Sequence, residues 1–157
     1  MFVLARALTY ATLFVSFLLV FLPSWILTAS GVIQPELGAA QIAGMLVGAA
    51  GAALAASCIL MFVFVGKGTP APFDPPRRLV VRGPYRLVRN PMYLGAGLAL
   101  AGAAIFYQSR ALMAYLGLFL LVTHVFVVGY EEPTLRRTFG KDYDAYTRSV
   151  SRWWPRP

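Results

Sequence analysis

The chain has 157 residues, of which 59% are hydrophobic and only 13% charged, and 14 Lys and Arg stand against 6 Asp and Glu for a net charge of +8. A soluble domain carries about 45–50% apolar and about 25% charged residues, so this balance excludes a disordered chain and an ordinary soluble domain, while a single cysteine excludes a disulfide framework. A domain of this length cannot bury so much apolar surface within itself, and lipid is the partner its composition requires.

Four apolar runs follow in chain order, each near the roughly 20 residues that a helix needs to cross a bilayer. The first spans about residues 7–27 and carries no charge. Its length and the position of Trp25 argue against a cleaved signal peptide. The second lies between Glu36 and Lys67, over about residues 38–66, and is long enough to tilt. A third run, 92–108, is short, and the fourth covers 111–130. Backbone polar groups must be satisfied internally in lipid, so all four read as helices. Gly44 and Gly48 form a GxxxG, continued by Gly51, Ala52 and Ala55, and the third run has a similar face in Gly95, Ala99 and Gly102. Small residues let helices approach closely in lipid; the same faces leave oligomerisation open. Cys58, inside the second run, reads as a packing residue, since no cationic neighbour in sequence would activate its thiol.

The basic residues set an orientation. Arg6 precedes the first run; Lys67, Arg77, Arg78, Arg82, Arg86 and Arg89 lie between the second and third; Arg136, Arg137, Lys141, Arg148, Arg152 and Arg156 follow the fourth. All but Arg110 therefore share one side of a four-helix topology, which places both termini in the cytoplasm. Topology thus accounts for the +8 charge without a nucleic-acid partner. The expected fold is all-α: an integral membrane bundle of four transmembrane helices with a C-terminal cytoplasmic amphipathic helix, one membrane domain over residues 1–157.

Two segments on that face hold the polar chemistry. The first opens with Pro70, Pro72, Pro75 and Pro76, which no regular helix accommodates. Gly83-Pro84 and Asn90-Pro91 then read as turns, with Asn90 as N-cap and Pro91 as first residue of the third helix. That helix start suits an anionic group. In the second segment Glu131 and Glu132 close the fourth run and oppose its helix dipole, so a cationic partner, arginine or ligand, is expected. Leu135, Phe139, Tyr143, Tyr146 and Val150 form an apolar stripe at helical spacing, with a bend expected at Gly140. Trp153 and Trp154 read as interfacial anchors. His124 stands two turns before Glu131 on the same face, and an interhelical hydrogen bond to Ser, Thr or backbone is its expected role. One histidine and one cysteine give no metal-ligand spacing, and neither GxGxxG nor a P-loop is present.

Arg82-Gly-Pro-Tyr-Arg-Leu-Val-Arg-Asn-Pro-Met-Tyr-Leu-Gly95, followed by Glu131-Glu-Pro-Thr-Leu-Arg-Arg-Thr-Phe-Gly-Lys-Asp-Tyr-Asp-Ala-Tyr146 and Val150-Ser-Arg-Trp153, resembles the isoprenylcysteine carboxyl methyltransferase and phospholipid methyltransferase superfamily. The resemblance covers about half the chain, from Leu79 onward. It implies an S-adenosylmethionine-dependent membrane enzyme, of the short bacterial type and so of a bacterial inner membrane, with a cytoplasmic cofactor pocket built from residues 77–93 and 131–154. By resemblance Leu79, Val80, Tyr85, Asn90, Pro91, Met92, Tyr93, Glu131 and Glu132 would bind the cofactor, and Glu131, Glu132 and Arg89 would serve catalysis. Asn90 stands where carboxyl methyltransferases have His, which brings the motif closer to phospholipid N-methyltransferases. The implied acceptor is lipid-like and enters from the bilayer, without metal or nucleic acid.

The residues fit this chemistry on their own terms. A Glu pair can hold an ammonium, Arg or a helix N-terminus a carboxylate, and Tyr85 and Tyr93 can stack on adenine or face a sulfonium. Methyl transfer asks the protein mainly for alignment and charge placement. Two other classes compete: an NADPH-dependent membrane reductase, by likeness to sterol reductases, and a non-enzymatic scaffold whose basic loops bind anionic lipid.

Overall fold

A computed structural model describes Thr9, residues 12–13, 15–66 and 78–155. Arg6, Lys67, Arg77, Arg156, the prolines at 70–76 and the start of the first apolar run lie outside the described residues. Within them the chain is all-helical, with one isolated parallel bridge between Val88 and Ser151. Five helices follow in order: α1 (Ser16–Ala29), α2 (Ala39–Gly66), α3 (Pro91–Phe106), α4 (Arg110–Phe139) and α5 (Lys141–Ser149). A 3-10 turn, Gly83–Arg86, precedes α3.

Two of these helices, α2 with 28 residues and α4 with 30, are long and apolar enough to cross a membrane; α1 and α3 are apolar but shorter. Helix boundaries fall where the sequence supplies stop signals. At the start of α2 the Gly38 N–H donates to Gln41 Oε1 at 3.1 Å, the half of a capping box that a glycine N-cap allows. Gln41 Nε2 in turn donates to Phe106 O at 2.9 Å, satisfying a terminal carbonyl of α3. Ser109 Oγ accepts from Leu112 N–H and caps α4.

α2 and α3 pack antiparallel through glycines. A Cβ built on Gly44 would lie 2.7 Å from Gly102 O and Phe106 N; one on Gly51 would lie 2.6 Å from Gly95 O; one on Gly95 would lie 2.8 Å from Ala55 N. Only hydrogen fits there, which is the physical content of the small-residue faces read from the sequence. Ala52 is exposed and takes no part. α1 is tied to α4 by the Tyr115 hydroxyl, which donates to Leu18 O at 2.9 Å.

One expectation needs correction. The amphipathic segment after residue 131 is not a single separate helix. α4 continues through Pro133 to Phe139, and only at Gly140 does the chain turn into α5. The continuation is explained by a wide turn at Val127–Glu131, where Glu132 N–H bonds to Val127 O, five residues back. Such a turn changes the hydrogen-bond register just before the residue that lacks an N–H. Gly140, at φ 52° and ψ −123°, supplies the expected bend in a conformation open to glycine. Across that bend the apolar stripe still works as one face, since Tyr143, Tyr146 and Val150 cluster with Leu79, Leu135 and Phe139. This brings residues 78–90 beside the end of α4.

Candidate functional site

Successive helical residues point about 100° apart, so the two adjacent glutamates at the end of α4 meet different neighbours. Glu131 faces the start of α3, where the Tyr93 hydroxyl donates to its Oε2 at 3.0 Å. Glu132 faces two arginines. Arg152 grips it with a fork, Nε to Oε1 at 2.6 Å and a terminal nitrogen to Oε2 at 2.8 Å, and Arg89 stands 3.2 Å from Oε1. The cation expected beside the pair is thus supplied to one of its members by the protein itself.

The electrostatic consequence is a split. These carboxylates lie just past the apolar stretch that ends at Tyr130. Burial pushes the Glu131 carboxyl above its ordinary range; the Tyr93 hydrogen bond pulls partly against that, and the Glu132 charge adds to it. Burial acts the same way on Glu132, but the Arg152 hydrogen bond and the charges of Arg89, Arg152 and Arg136 outweigh it and hold its carboxyl low. Two neighbouring carboxyls pushed apart by their surroundings form the pattern that separates a proton acceptor from a fixed anion. Arg89 completes the picture: its side chain is only 11% exposed, and its Nε is buried without a hydrogen-bond partner among the described residues. A buried N–H left unpaired is costly, and it suits an incoming anionic oxygen.

The turn that carries Arg89 is held by the C-terminal strand-like segment 150–153. Arg89 N–H donates to Ser151 O at 2.9 Å, and Asn90 Nδ2 donates to Arg152 O at 3.3 Å. Asn90 stands at the N-cap of α3 as expected, yet its side chain makes no cap bond and ties the C-terminal segment instead. From the other side, the Tyr146 hydroxyl donates to Tyr85 O at 2.6 Å. Among the described residues His124 bonds not to Ser, Thr or backbone, as expected of it, but to an indole: its Nδ1 accepts from Trp153 Nε1 at 3.1 Å.

Of the residues singled out from sequence, Arg89, Tyr93, Glu131 and Glu132 converge on this seam. Val80 and Tyr85 instead sit in an apolar cluster with Cys58, against which Met92 packs, and Pro91 is fully buried. Leu79 packs on Tyr143 and Tyr146 and lines an open groove of about 650 Å³ with Arg78, Val81, Phe139 and Tyr146. Neither Glu131 nor Glu132 lines that groove. Sequence reasoning did not single out Arg152, which stood among the basic residues on its face, or Tyr143, buried beside the seam. Burial first, and then the Glu132 charge, raises the Tyr143 hydroxyl. Among the described residues no group of His, Cys, Asp and Glu could hold a metal ion.

The comparison with known families matches the phospholipid methyltransferase family over residues 39–142, about two-thirds of the chain. No curated protein and no solved structure matches the chain.

Proposed function

Because the chain belongs to the phospholipid methyltransferase family, and is therefore a membrane methyltransferase acting on lipid, we propose that it takes its methyl group from S-adenosylmethionine and delivers it to a lipid-like acceptor entering sideways from the bilayer. The observation that carries this reading is a part-buried carboxylate, Glu131, bonded to Tyr93 and to no arginine among the described residues, next in sequence to the Glu132 that holds Arg89, whose Nε is a buried donor without a partner among those residues. Four apolar helices would then span the membrane, with both termini and the seam on the basic, cytoplasmic side.

The residues present fit the cofactor. Its ammonium and sulfonium are cations, for which Glu131 is the available anion, and its carboxylate suits the free Nε–H of Arg89. Tyr93, whose hydroxyl is held by Glu131, offers its ring for a cation–π contact. When bound, S-adenosylmethionine supplies an electrophilic methyl group. Glu132, saturated by Arg89 and Arg152, is a fixed counter-charge that orients Arg89. Glu131 Oε2 is occupied by Tyr93, which leaves Oε1 to accept a proton from an amine acceptor, and its raised pKa suits that task. A carboxylate acceptor needs no base, and Arg89 would then orient it. Around these residues Val80, Tyr85 and Met92 pack in the apolar cluster with Cys58, Pro91 is buried at the start of α3, Asn90 ties the C-terminal segment, and Leu79 lines the neighbouring groove.

Isothermal calorimetry with S-adenosylhomocysteine in nanodiscs tests the cofactor. Binding in wild type, lost or weakened at least tenfold in Tyr93→Ala, is expected, while no binding in nanodiscs or several detergents overturns the reading. Incubation with labelled methyl donor and total host lipid, followed by mass spectrometry, then identifies the acceptor. Glu131→Gln is expected to lower turnover by about 10²-fold, within the range of a lost general base.

A further inference from the structure

The C-terminal segment 150–153 touches three parts of the molecule in four residues. Val150 is packed in the apolar cluster with Tyr143 and Tyr146. The Ser151 carbonyl receives the Arg89 amide, the Arg152 carbonyl receives Asn90 Nδ2, and the Arg152 guanidinium grips Glu132. Trp153 closes the run on His124 of α4, with ring centroids 6.0 Å apart and the indole N–H on Nδ1. This strap lies beyond the residues matched to the family, which end at 142.

His124 stands seven residues before Glu131, roughly 10 Å nearer the apolar part of α4 at 1.5 Å per residue. This bond lies on the exposed face of α4, and in the four-span arrangement that face meets lipid, where an indole N–H without a partner would be costly. The imidazole acceptor is therefore what lets Trp153 lie along α4. With Trp153 seated, the preceding residue is directed onto Glu132 and the one before it onto the Arg89 turn.

We propose that His124 is a positioning residue: its Nδ1 anchors the strap through Trp153, and the strap sets Arg152 on Glu132 and the Arg89–Asn90 turn opposite Glu131. The part of this inference that concerns the site rests on the methyl-donor reading above; the anchoring itself does not.

Three variants separate the contributions. His124→Leu removes the acceptor, His124→Asn keeps an acceptor oxygen where Nδ1 stood, and Trp153→Phe removes the donor but keeps a ring. In protein carrying ¹⁵N-labelled Trp in nanodiscs, the Trp153 indole resonance is expected to move in His124→Leu and to return towards its wild-type position in His124→Asn. Hydrogen exchange at the Arg89 amide is expected to speed up about three- to tenfold in His124→Leu and in Trp153→Phe, the effect of losing one hydrogen bond. The double variant is expected to exchange no faster than either. S-adenosylhomocysteine affinity should fall by a similar factor in the same two variants and recover in His124→Asn. An indole resonance indifferent to His124→Leu, or exchange effects that multiply in the double variant, overturns the proposal. If wild type fails to bind S-adenosylhomocysteine, the methyl-donor reading fails, and the resonance and the Arg89 exchange still decide the anchor.

Discussion

Where α2 meets α3, the two backbones are nearly in contact along their glycines, with Gln41 bonding the Phe106 carbonyl only at the end of the joint; where the end of α4 meets residues 88–93, long charged side chains make the contact. The first joint gains its stability from dispersion between closely fitted surfaces, which in lipid is the main force available. The second depends on charge-assisted hydrogen bonds, directional and individually strong. Their sensitivities differ accordingly. A surplus carbon breaks the first, and a lost charge breaks the second.

Gly102→Val should therefore be the most damaging substitution. A Cβ there would lie 2.6 Å from Gly44 O and closer still to Gly48 N. Displacing backbone on a facing helix costs about 3 kcal/mol or more, read as a large drop in thermal midpoint in detergent. Gly48→Ala, whose Cβ meets nothing nearer than 3.9 Å, is the control and should be mild.

Glu132→Gln comes next. It leaves Arg89 and Arg152 without their shared anion in a part-buried site, at a cost of about 2–3 kcal/mol once partial exposure is allowed for. The two glutamates should also divide the pH response. Glu132, held low when folded, contributes stability that is lost as pH falls through the folded value; Glu131, held high, costs stability as pH rises from the ordinary carboxylate range through its folded value. Unfolding curves across pH should show a flattened acid limb in Glu132→Gln, and higher stability than wild type near neutrality in Glu131→Gln. A wild-type acid limb in Glu132→Gln would mean the ion pairs carry no net stability.

Gly140→Ala should cost about 1–2 kcal/mol from backbone strain alone, since a Cβ would meet nothing within 4 Å. Denaturant titration of the full chain measures it. The smallest effect belongs to Asp144→Asn, which removes an exposed pair with Arg136 and should change stability by under about 0.5 kcal/mol.

The two joints also differ in how readably they are written. The α2 and α3 boundaries follow from charges that interrupt apolar runs, and their mating faces from glycines at one- and two-turn spacing; both are local patterns. The Glu pair is legible because two carboxylates are chemically out of place on a basic face, whereas Tyr93 and Arg89 are marked only by the motif's resemblance. What escaped was the pairing. Arg152 reaches Glu132 across 20 residues and Trp153 reaches His124 across 29; both distances are closed by the reversal at Gly140, and nothing near either partner marks it out. Asn90 shows the same limit in reverse, since its position is that of a cap and its side chain is committed elsewhere. The motif places Val80 and Tyr85 among the site residues, but nothing local in the sequence shows that they pack with Cys58 of α2.

α3 has 16 residues and rises about 24 Å, against about 42 Å for the 28-residue α2 alongside it. A hydrocarbon core is about 30 Å thick. In the four-span arrangement, the foot of α3 therefore stands below the plane of the lipid headgroups, or the leaflet thins to meet it. Asn90, Tyr93 and the two glutamates would then share the depth of a resident lipid's polar end. Such a lipid would reach the seam by lateral diffusion within its own leaflet, and the free energy of extracting its acyl chains would never enter the barrier.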